Sequence, residues 1–208
     1  MACAASLMDM MRAIVADDAE TISRALVAFP DLASAALTEG ATRQGAKDYW
    51  LEEIGHYTYK GDTALHVAAA AYRHVIAGKL IDAGAVVRAR NRRGAEPLHY
   101  AADGGPGSPS WNPEAQAATI AVLIAAGADP NATDSSGVAP LHRAVRTRCT
   151  GAVLALLKGG ADIRRKNKNG STPLRLATLT TGRGGSGSVE AKAQQVEIVR
   201  LLKEHGAR

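Results

Sequence analysis

The chain repeats one nine-residue stretch four times, and this repetition limits the folds it can adopt more than any other feature. The copies begin at Gly61, Gly94, Gly137 and Gly170, and they read GDTALHVAA, GAEPLHYAA, GVAPLHRAV and GSTPLRLAT. These glycines are 33, 43 and 33 residues apart. A recurring interval of this length is typical of proteins built from stacked structural units.

A second marker keeps step with the first. A Gly-Ala pair follows an apolar pattern at Gly84, Gly127, Gly160 and Gly206, at intervals of 43, 33 and 46 residues. The period is therefore about 33 residues, with extra residues in some intervals. One four-residue match recurs by chance in many proteins, whereas four copies in register with four Gly-Ala pairs are a specific signal.

Each part of the unit has a physical reason. The first glycine suits a tight turn that needs a positive φ angle, and the proline that follows in three copies suits the first turn of a helix. Leu65 and Ala68 lie three residues apart and therefore on one helix face. A second apolar helix pattern, clearest at 120–124, 153–157 and 196–202, ends at the Gly-Ala pair. Because such a unit buries its apolar face only by stacking, we predict an all-α solenoid.

The chain resembles the ankyrin-repeat family, because Thr-Pro-Leu-His-x-Ala with a period of about 33 residues is the signature of that family. The resemblance implies an α-solenoid of helix-turn-helix units connected by β-hairpin or loop fingers. It covers most of the chain, so we expect residues 1–208 to form a single domain. The expected units are residues 61–93, 94–136, 137–169 and 170–208, preceded by a degenerate first repeat and an enlarged first finger within residues 1–60.

The degenerate first repeat lacks the signature. Residues 8–15 and 18–29 have the apolar patterns of two short helices, and Phe29-Pro30-Asp31 stands where a Gly-Ala-Asp would be expected. A terminal unit is expected to be atypical because its outer face meets water. We therefore interpret this segment as a cap on the stack.

The enlarged first finger, residues 32–60, contains four of the eight aromatic residues: Tyr49, Trp50, Tyr57 and Tyr59. A loop of this length in a compact repeat is usually functional or disordered, and its aromatic content argues against disorder. Two roles stay open at this point. Trp50, Leu51 and Ile54 could form a short extra helix that covers the core, or the finger could bind a partner, and both can hold at once.

Two further insertions, at about 103–113 and 179–192, follow the inner helix of their unit. The first contains three prolines and Trp111, for which a packing role ranks somewhat ahead of a binding role. The second is rich in glycine and serine, which predicts a mobile, tolerated insertion.

Composition narrows the class of protein. Of 208 residues, 46% are hydrophobic, which suffices for one folded unit. Cys3 and Cys149 lie far apart without metal or redox spacing, so we expect reduced thiols. No apolar run approaches a membrane span, and the start lacks a secretory pattern. We therefore expect a cytoplasmic protein without a membrane segment, and an open stack with capped ends gives no reason to expect more than a monomer.

The resemblance implies a non-catalytic, protein-binding scaffold whose ligands contact the finger tips and the exposed side of the inner helices. Carried onto this sequence, the candidate partner-binding residues are Trp50, Tyr57, Tyr59, Lys60, Asp62, Arg90, Arg92, Arg93, Arg146 and Lys168. Scaffolding and inhibition of the partner both remain open.

Two fingers are basic, within a chain of net charge +5. Four arginines occupy residues 88–93, and four lysines or arginines occupy residues 164–168. The charges could simply keep the solenoid soluble, or they could recognise an acidic protein surface through bidentate arginine contacts. Nucleic acid ranks below these alternatives because no nucleic-acid motif is present and the basic tips are interrupted.

Histidine recurs at one position of the unit, as His66, His99 and His142. The resemblance implies that this residue bonds the turn backbone between repeats, and Arg175 at the fourth position interrupts any metal ladder. We therefore expect no metal, no cofactor and no catalytic residue. An enzyme or small-molecule site under the enlarged finger is the alternative, because acid/base chemistry becomes possible if Glu52, Glu53 and His56 meet near His66 and Tyr100.

Overall fold

In the computed structural model, the described residues are 6–106, 111–179 and 188–207. They form five consecutive pairs of α-helices and one short hairpin. The helices are α1 (Leu7–Val15), α2 (Ala19–Ala28), α3 (Ala64–Ala70), α4 (His74–Asp82), α5 (Pro97–Ala101), α6 (Pro113–Ala125), α7 (Pro140–Thr147), α8 (Thr150–Lys158), α9 (Pro173–Thr178) and α10 (Val189–Glu204). The strands are β1 (Trp50–Leu51) and β2 (His56–Tyr57).

The pairs stack in sequence order. The first helices of the pairs form an inner row, in which α1 contacts α3, α3 contacts α5, α5 contacts α7, and α7 contacts α9. The second helices form an outer row in which α4, α6, α8 and α10 follow one another. The principal contacts thus join neighbouring units, and the prediction of an all-α solenoid is confirmed.

The repeated leucine of the nine-residue stretch forms the centre of the core. Leu65, Leu98 and Leu141 are at most 1% exposed, whereas Leu174, in the last unit, is partly buried. At the other end of the stack, α1 buries Met11 and Ile14 completely. The first helix pair therefore packs on the apolar face of the second unit, as expected of a cap.

Local signals start and stop the helices as the sequence predicts. Proline occupies the first turn of α5, α7 and α9. Gly94 and Gly137 have φ angles of 69° and 70°, which a residue with a side chain rarely adopts. A Cβ atom at Gly137 would also lie 2.9 Å from the backbone nitrogen of Lys168. Glycine is therefore needed at these turns both for the conformation and for the close approach of the next finger.

The three recurring histidines join each inner helix to the following finger. The Nδ1 atoms of His66, His99 and His142 each accept a hydrogen bond from the backbone N–H at the start of their own helix, at 3.1 Å. The tautomer that follows places the proton on Nε2, which donates to a carbonyl of the next finger: Ala95, Val138 and Ser171, at 3.1, 3.1 and 3.2 Å. The predicted structural role of these histidines is confirmed.

The enlarged first finger contains a β-hairpin where a short helix was one of the expectations. Trp50 pairs with Tyr57 and Leu51 with His56, and the turn between them is a short 3-10 segment, Glu52–Ile54, closed by Gly55. Leu51 is 3% exposed, and Ile54 packs partly buried against the core. The strand alternation therefore turns one side of the hairpin to the core and leaves Trp50 and Tyr57 exposed.

The first of the two later insertions is described in part. Trp111 is half-buried, and its Nε1 donates to the side chain of Gln116 at 3.0 Å; that side chain in turn donates to the carbonyl of Ala101 at 2.9 Å. These contacts support the packing role expected for Trp111. Residues 107–110 and 180–187 lie outside the described residues. The mobility expected for the glycine-rich insertion falls on the second of these segments and stays a prediction. Across the described part of the chain, none of the helices has the length and apolar character needed to cross a membrane.

Candidate protein-binding surface

Backbone hydrogen bonds between successive fingers bring the predicted tip residues into one row. The second, third and fourth fingers are the segments between α4 and α5, α6 and α7, and α8 and α9. Arg92 N donates to Lys60 O at 2.8 Å, Ser135 N to Arg93 O at 2.9 Å, and Lys168 N to Ser136 O at 3.2 Å. The tips therefore lie side by side as an edge that runs along the stack, although their residues are far apart in sequence.

Nine of the ten predicted site residues are at least partly exposed. Eight of the nine are exposed on the hairpin, the tips or the inner helix α7, Trp50 and Tyr57 among them at 39% and 38%, while Tyr59 is half-buried. Asp62 differs from the others because it is 0% exposed.

Asp62 has its hydrogen-bond partners inside the protein. Its carboxylate accepts from the backbone N–H of Tyr59 at 2.7 Å, from Asn91 Nδ2 at 2.8 Å and from the Tyr100 hydroxyl at 3.0 Å. Burial, followed by the charge of Asp62, raises the pKa of Tyr100, so that its hydroxyl stays protonated and donates. Asp62 thus fixes the base of the first finger on α5, and we leave it out of the candidate surface.

Trp50 and Tyr57 form an exposed aromatic pair on the hairpin. They face each other across the two strands, with ring centroids 4.5 Å apart. Their shared position on one side of a short hairpin follows from the strand register. The pair supplies a compact apolar area on an otherwise polar edge.

Tyr59 is held by the arginines of the second finger. The guanidinium groups of Arg92 and Arg93 lie 5.1 and 5.2 Å from the centre of the Tyr59 ring. Arg92 also donates a hydrogen bond to the carbonyl of Ala41. These contacts tie the enlarged finger to its neighbour, so Arg92 has a structural contact as well as an exposed position.

The positive charges of two other arginines in the second finger, Arg88 and Arg90, lie close to acidic side chains. Arg88 lies 3.5 Å from Glu96 and 3.4 Å from Asp129. Arg90 donates to the carbonyl of Thr133 at 2.6 Å and lies 4.0 Å from Glu96. Part of the basic patch predicted from the sequence is therefore used to join the second finger to the third.

A groove of about 460 Å³ lies between the tips and α7, and we call it the basic groove; its exposed lining residues include Arg93, Ser136, Arg146 and Asn169. The side chain of Arg146 makes no hydrogen bond or ion pair with any described residue, and the same is true of Lys168 on the adjacent tip. Arg93 contacts the Tyr59 ring but has no acidic partner among the described residues. The groove therefore carries positive charge that nothing in the described structure neutralises.

The floor of the basic groove is a buried arginine that the sequence analysis did not select. Arg143 donates to Asp103 at 2.8 Å and to Asp134 at 3.1 Å, and it is 9% exposed. The signal was present in the repeated stretch, because the residue after Leu-His is Val67, Tyr100 or Arg143 in the first three copies. A charge at a position that is otherwise apolar or aromatic marks a residue with a specific partner.

The side chains that could perform acid/base chemistry under the enlarged finger do not come together in one site. His56 and His66 pack against the ring of Tyr100, with centroids 4.7 and 5.1 Å away. Glu52 and Glu53 are exposed, and among the described residues neither forms a hydrogen bond or ion pair with these histidines. Within residues 6–106, 111–179 and 188–207, no group of three or more metal-binding side chains is found either.

Comparison with known families agrees with the stack of helix pairs. A family model described as ankyrin repeats in many copies matches residues 123–177, and a model of the single ankyrin repeat matches residues 60–92. The chain belongs to the ankyrin-repeat family. It is therefore a protein–protein interaction module, the role that ankyrin repeats indicate.

Several curated proteins are similar to this ankyrin-repeat chain. Human ankyrin repeat and SOCS box protein 6 is 28% identical over 200 residues, which cover 90% of this chain and 44% of that protein. Mouse ankyrin repeat and SOCS box protein 16 is 39% identical over 114 residues, 54% of this chain and 24% of that protein. Human neurogenic locus notch homolog protein 1 is 32% identical over 141 residues, 56% of this chain and 6% of that protein. The chain thus spans less than half the length of each of these relatives.

Proposed function

We propose that this ankyrin-repeat chain is a non-catalytic module that binds an acidic segment of a partner protein across the basic groove and the aromatic pair of the first finger. The observation that carries the proposal is the charge of Arg93 and Arg146 in the basic groove and of Lys168 on the adjacent tip, for which the described residues supply no acidic partner. Elsewhere the arginines of the second finger are paired with Glu96 and Asp129. A face that keeps its positive charge unpaired favours an acidic partner and accelerates its association.

Arg93 makes the groove and the finger one surface. Its side chain lines the basic groove and also lies over the ring of Tyr59, next to Tyr57. A second cleft of about 340 Å³, lined in part by Arg43, Tyr57, Tyr59 and Arg92, extends this surface along the finger. Tyrosine, tryptophan and arginine are the residue types that most often dominate binding energy at protein interfaces.

Binding through this face is compatible with two outcomes for the partner, scaffolding or inhibition. Two of the relatives described above are named for ankyrin repeats together with a SOCS box, and we propose an adaptor-like role by analogy. Cytoplasmic location and a monomeric state remain part of the proposal. The buried free thiol of Cys149 supports a reducing compartment, and light scattering of the purified chain tests the monomeric state.

The test is affinity capture from native lysate with two charge-reversed variants of equal charge. The first variant combines Arg146→Glu and Lys168→Glu on the proposed face. The control combines Lys192→Glu and Lys203→Glu, two exposed positions on the outer helix α10. Matching the total charge change separates a local effect from a change in the net charge of the protein.

The proposal predicts that the first variant loses an acidic partner that the control and the unaltered protein retain. Cross-links between that partner and Lys60 or Lys168 in the unaltered protein would place the contact on the row of tips. Equal loss or equal retention in both variants, with normal folding, contradicts the proposed face. Capture that is abolished by nuclease treatment would instead favour a nucleic-acid ligand.

A further inference from the structure

A small pocket lies at the base of the enlarged finger, beside the basic groove. It has a volume of about 150 Å³, and its lining includes His56, Tyr59, Arg93, Tyr100, Asp103 and Arg143. A single water needs only about 15 Å³ measured in this way, so the pocket has room for a side chain of several heavy atoms. The enlarged finger forms one wall, and the inner helices form the other.

Two side chains that line this pocket each carry a buried nitrogen atom without a partner among the described residues. The Nε2 atom of His56 and the Nε atom of Arg143 are both shielded from solvent, and neither has a hydrogen-bond partner among the described residues. The arginine Nε always carries a proton and can only donate. Leaving such a donor buried and unpaired is costly, which points to an acceptor supplied from outside the chain.

His56 contributes a neutral ring. Burial is the largest effect on its pKa and lowers it below the usual histidine value, against the opposing charges of Asp103 and Asp62. The ring therefore carries one N–H at neutral pH. With the proton on Nε2, His56 and Arg143 each carry an N–H without a described partner, and both residues line this pocket.

The charges around the pocket argue against a charged ligand. The guanidinium of Arg143 is already shared between Asp103 and Asp134, at 2.8 and 3.1 Å. A carboxylate entering the pocket would lie beside Asp103 and near the buried Asp62, and an ammonium group would face Arg93 and Arg143. A neutral group avoids both penalties. If it carries an N–H as well as a carbonyl oxygen, it can donate to Asp103 while it accepts from Arg143 and His56.

We propose that this pocket binds a primary carboxamide, the side chain of a glutamine or asparagine presented by the partner protein. Its carbonyl oxygen accepts from Arg143 and His56, and its NH₂ group donates to Asp103. The assignment to a partner rests on the proposed function above, but the preference for a carboxamide does not. In this arrangement the basic groove supplies attraction, and the pocket supplies selection for one side chain.

The first experiment needs no partner. Propionamide, the amide of the glutamine side chain, is titrated into the ¹⁵N-labelled full chain, and the backbone amide signals of Gly55, Ala95 and Asp103 are followed by NMR. We expect saturable shifts with a dissociation constant in the millimolar range, on the order of that of a five-atom fragment. Propionate, which has the same shape and a negative charge, should bind at least about tenfold more weakly, a difference of about 1.4 kcal/mol.

A pair of histidine variants makes the result specific. His56→Phe keeps the edge-on packing against Tyr100 and removes the ring nitrogens, so it should abolish the shifts. His74→Phe, at an exposed position on the outer helix α4, should leave them unchanged. No saturable shift in the unaltered protein would show that the pocket holds only water, and tighter binding of propionate would show that it selects a carboxylate; either result overturns the proposal.

The second experiment separates this inference from the proposed function. If propionamide binds, the partner identified by capture should lose at least about tenfold in affinity for the His56→Phe variant. Unchanged affinity would overturn the assignment of the pocket to the partner, while the charge-reversal test of the basic groove would stand on its own result.

Discussion

The hydroxyl of Tyr100 lies 3.0 Å from both carboxylate oxygens of Asp62, a residue 38 positions earlier in the chain. Asp62 lies at the base of the enlarged finger, and Tyr100 belongs to α5, the inner helix of the next unit. Both side chains are buried, at 0% and 3% exposure. This contact fastens the finger to the stack, and the candidate surface depends on it because the finger carries the aromatic pair.

Removal of the Tyr100 hydroxyl should destabilise the protein. In a Tyr100→Phe variant the buried carboxylate of Asp62 loses a donor, and hydrogen bonds to charged groups contribute about 1.5–3 kcal/mol. We expect a decrease of that size in the free energy of unfolding, measured by urea denaturation. Tyr57→Phe, at an exposed position, should change it by less than about 0.5 kcal/mol. A Tyr100→Phe variant as stable as Tyr57→Phe would contradict this role for Asp62.

Much of this fold could be predicted from the sequence because its signals are local. The turn glycines, the prolines at the starts of α5, α7 and α9, and the recurring histidines each act within one unit and the next, so the repeat makes them visible. The aromatic pair Trp50 and Tyr57 was likewise recognised as part of an unusual finger.

The parts that could not be predicted depend on contacts between units. Asp62 has the position of an exposed tip residue, and only the stacking reveals that Tyr100 and Asn91 enclose it. Arg143 forms an ion pair with Asp103, which lies 40 residues earlier in the chain. The hairpin within the enlarged finger is two residues per strand, too short for an alternating pattern to be recognised. The division into units at residues 61, 94, 137 and 170 stays a prediction.

The buried histidines should make the protein less stable in mild acid. Burial lowers the pKa of His99 to about 4, whereas an unfolded histidine has a pKa of about 6.5. Between these values the unfolded chain binds a proton that the folded chain excludes. The contribution of neutral His99 to the free energy of unfolding is therefore present at pH values above about 6.5 and is lost as the pH falls towards 4. At pH 5.5 the loss from one such histidine is about 1.4 kcal/mol.

Comparison of unfolding curves at pH 7 and 5.5 checks this effect. Burial also lowers the pKa values of His66 and His142, so the unaltered protein should lose more than the contribution of His99 alone. A His99→Gln variant should be less stable at pH 7 but should show a smaller difference between the two pH values, by about 1.2 kcal/mol. An unchanged pH difference would mean that His99 titrates normally in the folded protein.

The ion pairs of Arg143 predict a contrast between two arginines three positions apart on α7. Arg143→Met leaves the carboxylates of Asp103 and Asp134 without their cation. We expect a loss of about 3 kcal/mol in the free energy of unfolding, at the lower end of the range for breaking a buried ion pair because the Asp103 side chain is 33% exposed. Arg146→Met, at an exposed position, should stay within about 0.5 kcal/mol. Equal effects of the two substitutions would show that the Arg143 pairs add no stability.

The exposed aromatic pair should contribute to partner affinity and little to folding. Trp50→Ala or Tyr57→Ala should weaken binding of the captured partner by about 2 kcal/mol, roughly thirtyfold, as expected of an interface anchor. Val75→Ala is the matched control, because Val75 is 60% exposed on the outer helix α4. Calorimetric titration measures the three affinities, and thermal unfolding verifies that each variant is folded. Equal affinities would remove the finger from the interface.

The affinity of the purified partner for the charge-reversed variants tests the central claim most directly. The account predicts that Arg146→Glu combined with Lys168→Glu weakens binding by about tenfold or more, and that the loss shrinks as salt is added because the contacts are electrostatic. The control, Lys192→Glu combined with Lys203→Glu, should bind like the unaltered protein. Equal affinities for the two variants at low salt would contradict the assignment of the partner to the basic groove.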